Sequence, residues 1–309
     1  MKKKISYNFM QPSILLTVLF TTLFFGCDQE YKDEIVFSSD DLIEEEEIII
    51  PSDPNKEYVL PNIDLSNWKV TLPIGKPDEI EPPEILKYGT NAKLQPYFYN
   101  DSINGALVFY TSPGASTANS SYSRTELREQ MDPGSNSTNW TFKEGGRMKG
   151  TLSMENISKK SDGDYDKTII MQIHGRLTNQ QRDLIGQKDN NAPPMLKIYW
   201  QDGLVRVKTK VLNNLNASST EILETDAWGN DDGYNFPIEV GFDKFTLEVI
   251  VSEGKMEIIL NETYSKIYQD IHMEKWGVFE NYFKAGNYLG STDPNAYATV
   301  KYYNLTVTH

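Results

Sequence analysis

The sequence predicts an all-β fold, a jelly-roll sandwich with a concave cleft, on three observations. From about residue 58 onward, short segments alternate apolar and polar residues with the period of two that is typical of strands. Turn-forming residues separate these segments, and residues 201–203 (QDG) and 252–254 (SEG) have the composition of hairpin turns. The sequence shows neither a long stretch of helical period nor an internal repeat, so one large sandwich domain is expected. The clearest strands are residues 106–111, 147–155, 167–174, 195–200, 204–212, 244–251 and 255–260.

The first 26 residues have the features of a secretory signal peptide. Three lysines at positions 2–4 precede an apolar run, residues 14–25, that is too short for a comfortable membrane span. Gly26 and Cys27 follow, and this ending resembles the lipobox of bacterial lipoproteins, in which Cys27 would be lipidated and begin the mature chain. A plain signal peptide with an incidental cysteine is the alternative. Acidic residues 28–34 resemble the export signal of Bacteroidetes surface lipoproteins, so a lipid-anchored protein on the outer membrane is expected.

The negative charge of the chain is concentrated near its beginning. Of the formal net charge of −14, residues 28–58 contribute −10 and residues 1–27 contribute +3, which leaves −7 for residues 59–309. The acidic excess argues against nucleic-acid binding. The sequence therefore divides into a signal peptide (1–26), an acidic tether (27–58) and a folded domain (59–309), and a cleft of that domain can still carry a positive potential.

The composition argues against a metal site. One cysteine and three histidines exclude a disulfide framework and a cysteine cluster, and they disfavour a multi-histidine zinc site. Asp162, Asp164 and Asp166 lack the accompanying glycine and glutamate of an EF-hand loop, so a surface turn is expected there. His272 and His309 are expected to be structural, and most tryptophans are expected in the core. The sequence predicts neither a metal nor an organic cofactor.

Period-two alternation also predicts a polar face on one sheet. On the strand at residues 168–174, the face expected in the core holds Ile169, Met171 and Ile173. The opposite face holds Ile170, Gln172 and His174. One such polar row is usually the solvated side of a sheet, but four together predict a basic, tyrosine-lined groove. The rows on the other three strands are Arg124, Glu126 and Arg128; Arg206, Lys208 and Lys210; and Tyr282, Lys284 and Tyr288.

The groups in this predicted groove are those that β-elimination on a uronate sugar requires. The proton at C5 is weakly acidic because the adjacent carboxylate is negative, so cationic and amide donors must stabilise the enolate-like intermediate. A base must remove the C5 proton, and an acid must protonate the leaving O4 oxygen. Arginine and glutamine suit the first role, and histidine and tyrosine suit the others. Arg124, Gln172, His174 and Tyr288 supply the complete set.

Three motifs in order carry a family resemblance. Residues 123–129 (SRTELRE), 172–174 (QIH) and 282–288 (YFKAGNY) resemble the signature motifs of the alginate lyases of polysaccharide lyase family seven. Residues 67–73 (NWKVTLP) and 303–309 (YNLTVTH) resemble the start and the last strand of that family's domain. The resemblance implies a β-jelly roll whose cleft binds alginate, an acidic polysaccharide, and cleaves it to unsaturated oligouronates. We expect a monomer that contacts the membrane only through its lipid anchor.

The resemblance also implies roles for individual residues. Arg124 and Gln172 would neutralise the C5 carboxylate, and Tyr288 would be the general acid and, for some linkages, also the base. His174 would be the base for the opposite C5 epimer, or would assist Tyr288. Glu126 would orient the arginines. The residues expected to contact substrate elsewhere in the groove are Arg128, Lys284, Tyr282, Arg206, Lys208 and Lys210.

Three local features bear on substrate choice. The family often has a glutamine two residues after its catalytic tyrosine, whereas Gly290 stands at that position here, which leaves the nearby subsites open. Isoleucine at the middle of the second motif, here Ile173, tends to accompany action on guluronate-containing blocks. Residues 175–194, rich in asparagine and glutamine, form a candidate lid.

Three alternatives remain at this point. A non-catalytic glycan-binding lipoprotein would not need the complete acid–base set. A glycoside hydrolase would need a suitably separated pair of carboxylates, and Glu126 and Glu129 lie on opposite faces of one predicted strand. A lyase of another polyuronate, such as a glucuronan, would use the same groups as an alginate lyase.

Overall fold

The computed structural model describes residues 61–116 and 120–309, so the predicted signal peptide, lipidated Cys27 and acidic tether lie outside the described residues. The described chain is built almost entirely from strands. They are β1 (Asn62–Ile63), β2 (Trp68–Thr71), β3 (Glu79–Ile80), β4 (Phe98–Asp101), β5 (Ala106–Thr111), β6 (Arg124–Glu129), β7 (Trp140–Thr141), β8 (Gly146–Ile157), β9 (Thr168–Arg176), β10 (Asn191–Gln201), β11 (Leu204–Leu212), β12 (Trp228–Asn230), β13 (Tyr234–Glu239), β14 (Phe245–Ser252), β15 (Lys255–Leu260), β16 (Tyr264–Tyr268), β17 (Glu280–Leu289) and β18 (Ala298–Thr308). Two short α-helices, α1 (Asn179–Leu184) and α2 (Ile271–Trp276), and three 3-10 helices at Ile85–Thr90, Glu221–Leu223 and Thr225–Ala227 complete it. No helix in the described ranges is long and apolar enough to cross a membrane.

The strands form two large, mainly antiparallel sheets, as the predicted sandwich requires. Within the described ranges, sheet A has eight strands in the order β16-β15-β14-β8-β18-β5-β4, with β1 added parallel to β18. Sheet B has ten strands in the order β12-β11-β10-β9-β17-β6-β2-β3, with β13 also paired to β11 and β7 to β17. The three strands with polar rows that carry the family motifs, β9, β17 and β6, are neighbours at the centre of sheet B. That adjacency is what brings the motifs together.

All seven predicted strands are present, with changes of a few residues at their ends. Residues 106–111, 204–212 and 255–260 are strands with the predicted limits, and the others are extended or shifted by a few residues. The hairpin between β10 and β11 turns on Asp202 and Gly203, both with positive φ (50° and 79°), the backbone of a type I′ turn. Strand β10 begins four residues before its predicted start, and its pairing with β9 shifts register on both sides of Pro194, a residue without a backbone donor.

The core between the sheets contains the tryptophans that might have served as sugar platforms. Trp140, Trp200 and Trp276 have no exposed surface, and Trp228 is 4% exposed. Each indole N–H donates to a protein acceptor. Trp140 donates to the Glu129 carboxylate and Trp276 to the Asn281 side chain. Trp200 donates to the Gly241 carbonyl and Trp228 to the Ile222 carbonyl. Because a buried indole needs such a partner, these contacts explain how the core accommodates four polar rings. The expectation that most tryptophans are core residues is therefore confirmed.

A bulge in β9 corrects one predicted face assignment. Ile198 and Tyr199 of β10 pair with Met171 and Ile169, so β9 carries one extra residue, Ile170, at this point. Consecutive residues Ile170 and Met171 therefore both belong to the hydrophobic core, whereas Ile169 is buried outside that core cluster. Strict alternation had placed Ile169 inward and Ile170 outward, and this was wrong. From Met171 onward the alternation holds, so Gln172 and His174 keep the face that was predicted for them.

The candidate lid is an ordered connection. Its first and last residues belong to β9 and β10, and helix α1 lies between them. Thr178 caps this helix: its side chain accepts from the Gln181 backbone N–H, while the Gln181 side chain accepts from the Thr178 backbone N–H. Asn190 further ties the connection to the Leu177 carbonyl.

His309, which directly follows β18, connects the two sheets. Its Nε2 lies 2.6 Å from Glu129 Oε1, and its Nδ1 lies 3.1 Å from the Gly145 carbonyl, so a doubly protonated ring satisfies both acceptors. Glu129 also accepts from the Trp140 indole and the Phe283 backbone N–H. Burial alone would lower the pKa of His309, but the hydrogen bond and charge of Glu129, with smaller contributions from Gly145 and Glu144, raise it above its usual value.

We therefore predict that His309→Gln destabilises the protein in a pH-dependent way. Since the folded-state pKa is raised, the stabilisation is fully present below the unfolded-state pKa of about 6.5 and is lost as pH rises through the folded value. The free energy of unfolding should fall by about 2 kcal/mol near pH 6, the size of one hydrogen bond to a charged group, and by less at alkaline pH. Denaturant titrations at several pH values measure this difference. A difference independent of pH would contradict the ion pair.

Candidate active site

The pairing of sheet B aligns a row of polar side chains across six adjacent strands. Lys208 pairs with Lys197, Lys197 with Gln172, Gln172 with Lys284, Lys284 with Arg128 and Arg128 with Lys69. Five of these six residues are cationic, and neighbouring strands lie about 4.8 Å apart. The row therefore crosses the middle of the sheet as a nearly continuous line of positive groups. Tyr282 and His174, which are direct partners, lie beside it.

A second row runs parallel to the first. Arg124 pairs with Tyr288, Tyr288 with Ile169, Ile169 with Tyr199 and Tyr199 with Arg206. The pairing of β17 with β6 is regular through this region, so Lys284 and Tyr288 remain on one face as predicted. The structure thus brings together Arg124, Gln172, His174 and Tyr288, which come from three separate segments of the chain.

Glu126 lies between the two rows and organises the site. It is 1% exposed and accepts a 2.5 Å hydrogen bond from Gln172 Nε2. It also forms an ion pair with the Lys284 ammonium. Arg124 Nη1 is 3.6 Å from its second oxygen. Glu126 was expected to orient the arginines, but its short contacts are to Gln172 and Lys284. With one N–H of the Gln172 amide held by Glu126, the other N–H remains for a substrate carboxylate.

Burial lowers the pKa of the Lys284 ammonium. Desolvation lowers its pKa to about 8, with the charge of Glu126 opposing that shift and Arg124 adding to it. Lys284 is 5% exposed, and its ammonium is paired with Glu126. Near neutral pH it remains mostly cationic and contributes positive charge to the floor of the groove.

His174 is a neutral base. Burial first, and then the charges of Lys284, Arg124 and Lys197, lower its pKa to about 3 despite an opposing hydrogen bond to Gly175. Its Nδ1 lies 2.9 Å from the Gly175 carbonyl, an acceptor, so Nδ1 carries the proton and Nε2 carries the lone pair. The imidazole stacks on Tyr282 with ring centroids 5.2 Å apart, which fixes its plane.

Tyr288 is held by the first residue of β6 and by two residues of the segment before it. The Arg124 guanidinium lies over its ring, 4.0 Å from the centroid. Tyr122 contacts the same ring edge-on at a centroid distance of 6.4 Å. The Tyr288 hydroxyl is in hydrogen-bond contact with Ser120 Oγ. These contacts fix the Tyr288 ring and its hydroxyl beside the Arg124 guanidinium.

The Arg128 guanidinium is hydrogen-bonded to acceptors of the protein itself. It donates to the carbonyls of Glu129 (2.5 Å) and Asn136 (3.0 Å) and to Asn139 Oδ1 (2.9 Å), and it lies 4.1 Å from the Tyr282 ring centroid. With three N–H groups engaged by the protein, it is placed to position Tyr282. The substrate contact that the resemblance implies for Arg128 stays a prediction beside these contacts.

The β10–β11 side of the groove forms a polar cavity of about 370 Å³, lined by Lys167, Lys197, Tyr199, Arg206 and Lys208, among others. Burial and the neighbouring charges of Lys210, Arg124 and Lys167 lower the pKa of Lys197, with Glu126 opposing. Arg206 donates to Asn235 Oδ1 and to the Asp232 carbonyl.

Of the basic residues predicted for β11, Arg206 and Lys208 line this cavity, and Lys210 approaches the Trp228 carbonyl at 3.5 Å. Sequence reasoning missed Lys197 and Tyr199, although their alternation with Leu196, Ile198 and Trp200 could have revealed them.

The remaining candidates have structural surroundings. His272 Nδ1 accepts from the Leu212 backbone N–H. Asp162 accepts from the Asp164 backbone N–H within a turn, and Asp166 is buried against Ser158. In residues 61–116 and 120–309, no group of three His, Cys, Asp or Glu side chains is arranged to hold a metal ion.

Comparison with known families and structures gives consistent results. The family model described as alginate lyase matches residues 63–309. A comparison with curated proteins gave no match.

Among solved structures, the family 7 alginate lyase A1-II′, as a tyrosine-to-phenylalanine variant in complex with the product GGG, is 30% identical. The match covers 80% of this chain and 97% of that one, with a TM-score of 0.64. A variant of the same lyase with histidine-to-asparagine and tyrosine-to-phenylalanine substitutions, in complex with the substrate GGMG, is 31% identical, with coverage of 80% and 94% and a TM-score of 0.62. The alginate lyase PA1167 from Pseudomonas aeruginosa, 22% identical with coverage of 80% and 100% and a TM-score of 0.60, shares the fold.

Proposed function

Since the family model spans nearly the whole described domain, this chain belongs to the alginate lyase family, and we propose that Arg124, Gln172, His174 and Tyr288 perform its β-elimination. The observation that carries the proposal is their convergence around buried Glu126, with a neutral imidazole and a phenol among cationic groups.

The proposed reaction follows from the chemistry of each group. The uronate carboxylate binds between the Arg124 guanidinium and the free N–H of Gln172, which reduces its charge and makes the C5 proton more acidic. His174 Nε2 removes this proton where the epimer presents it to the imidazole. For the other epimer the base is Tyr288 in its phenolate form, which becomes the phenol on taking the proton. As the C4–O4 bond breaks and the C4–C5 double bond forms, the Tyr288 hydroxyl protonates O4. Atoms and charge balance without a metal or an organic cofactor.

The related lyase supports this assignment. Its complexes with product and with substrate were obtained with variants that replace a tyrosine by phenylalanine, or that also replace a histidine by asparagine. Such substitutions remove side chains of the same two types, histidine and tyrosine, to which we assign proton transfer here. The substrate GGMG of that lyase also agrees with our proposal that guluronate-containing blocks are cleaved, which Ile173 of the second motif favours.

The proposal is tested by incubating the protein with polyguluronate, polymannuronate, alternating blocks and glucuronan. Elimination creates a conjugated double bond, so ultraviolet absorbance reports turnover directly. We expect the fastest rise with guluronate-containing polymers. Binding without any rise on all four would favour a non-catalytic glycan-binding protein, and a rise on glucuronan alone would reassign the substrate.

His174 gives a prediction about block preference. His174→Asn removes the proton acceptor Nε2 but keeps an amide of similar size, so turnover on polyguluronate should fall by about 100-fold or more. Turnover on polymannuronate should fall less if Tyr288 is the base for that epimer. Initial rates on the two homopolymers measure the ratio. Equal losses on both would contradict the division of roles.

We also propose that the protein is a cell-surface lipoprotein anchored through Cys27. The support is the basic residues 2–4, the apolar run and the single cysteine after Gly26, followed by acidic residues. The test is membrane fractionation of cells expressing the full chain and its Cys27→Ser variant. We expect the variant to lose membrane association, and retention of both forms would exclude the lipid anchor.

A further inference from the structure

Ser120 contacts the proposed acid but lies outside the three sequence motifs. It is half-buried, and its Oγ is in hydrogen-bond contact with the Tyr288 hydroxyl. The same Oγ accepts a 3.1 Å hydrogen bond from the Tyr122 backbone N–H, which holds the serine in a local turn. The Tyr288 hydroxyl thus meets an oxygen whose position the backbone fixes.

The hydrogen-bond capacity of the serine allows it to donate in this contact. A serine hydroxyl has one donor and two acceptor sites, and the Tyr122 N–H occupies one acceptor site. The Tyr122 carbonyl, 3.4 Å away, is a weak acceptor for the serine proton. Either oxygen of the Ser120–Tyr288 contact can be the donor. With Ser120 as the donor, the phenolic proton is free to point at the leaving O4 oxygen.

We propose that Ser120 is a positioning residue for the elimination step. Its hydroxyl orients the Tyr288 proton toward the substrate and then stabilises the phenolate that remains after proton transfer. The Arg124 guanidinium over the ring acts in the same direction. The inference rests on the proposed acid role of Tyr288 and adds a group from outside the groove strands.

The test compares Ser120→Ala with Ser120→Thr in the full chain. Ser120→Ala should lower kcat on polyguluronate by about ten- to a hundredfold, the effect of one hydrogen bond to a charged oxygen, with KM within about twofold. Because the lost bond favours the phenolate, the alkaline limb of the kcat profile should move to higher pH. Ser120→Thr keeps the hydroxyl and should restore both kcat and the limb.

Ser153→Ala is the matched control. Ser153 Oγ also contacts a tyrosine hydroxyl, that of Tyr303, but in sheet A, so its kcat should equal that of the wild type. Unchanged kcat in Ser120→Ala would overturn the proposal. So would a loss of kcat that Ser120→Thr does not restore, or one without movement of the alkaline limb, since either marks a purely structural role. Absence of turnover by the wild-type protein on every polymer would instead refute the proposed function.

Discussion

Tyr288→Phe should lower kcat on polyguluronate by about 10²- to 10⁴-fold, the contribution typical of a general acid. The substitution removes one oxygen and leaves the aromatic ring on which Arg124 and Tyr122 pack. The groove should therefore keep its shape and charge. Affinity for oligoguluronate, measured by calorimetry, should change by no more than a few fold, and the free energy of unfolding should change by about 1 kcal/mol or less.

Tyr303→Phe controls for the loss of a phenol. Tyr303 lies on β18 of sheet A, hydrogen-bonds a serine and packs under a cation, Lys244, as Tyr288 packs under Arg124. This variant should match the wild type in turnover. Substantial activity in Tyr288→Phe would refute the acid role and transfer it to another group of the groove. A large loss in both variants would indicate general damage to the sandwich.

The predictability of this site follows from the regularity of its strands. Pairing between β6 and β17 has no register shift, so period two was sufficient to place Arg124, Glu126, Lys284 and Tyr288 on one face. The fold class and the alginate lyase family could likewise be predicted from alternation and from three ordered motifs. Each of these inferences depends on information that is local to a strand or a motif.

The features that strand patterns did not predict have a common physical cause, which is dependence on partners outside the strand concerned. The extra residue Ile170 is a property of the β9–β10 pairing and leaves no mark in β9 alone. Arg128 donates hydrogen bonds to the Asn136 carbonyl and to Asn139. Both acceptors lie in the loop between β6 and β7, whose sequence has no strand periodicity. Ser120 is brought to Tyr288 by the turn before β6. Strand patterns could not have predicted these contacts.

Gly286 shows how a motif residue can serve the site without chemistry of its own. Its φ is 141°, and a Cβ there would lie 2.7 Å from the Thr125 carbonyl oxygen and 2.9 Å from Phe109. Only glycine fits this close approach between β17, β6 and sheet A. The glycine of residues 282–288 therefore keeps Lys284 and Tyr288 at their positions on the groove face.

Glu126→Gln should be the most damaging single change to the charge balance of the groove. The substitution keeps the volume but removes the charge paired with Lys284 and the carboxylate that accepts from Gln172. Breaking a buried ion pair by removing one partner typically costs about 3–5 kcal/mol of unfolding free energy. Without Glu126, the pKa of Lys284 should fall below its value of about 8, because the carboxylate opposes desolvation. Part of the positive charge would then be lost near neutral pH, and turnover should fall together with stability.

A double-mutant cycle separates this coupling from simple loss of contacts. Lys284→Met should also destabilise the protein. The double variant, Glu126→Gln with Lys284→Met, should lose less unfolding free energy than the two single variants lose together, by on the order of 1–3 kcal/mol.

Lys69 and Glu79 provide a matched ion pair on the same sheet at 2.6 Å, but the Glu79 side chain is 51% exposed. Glu79→Gln should therefore cost about 1 kcal/mol or less. Additive effects in the Glu126 cycle, measured by chemical denaturation, would show that Glu126 does not act through Lys284. Gln172 and Arg124 would then be its relevant partners, and the positive charge of the groove would come mainly from the half-buried lysines of β10 and β11.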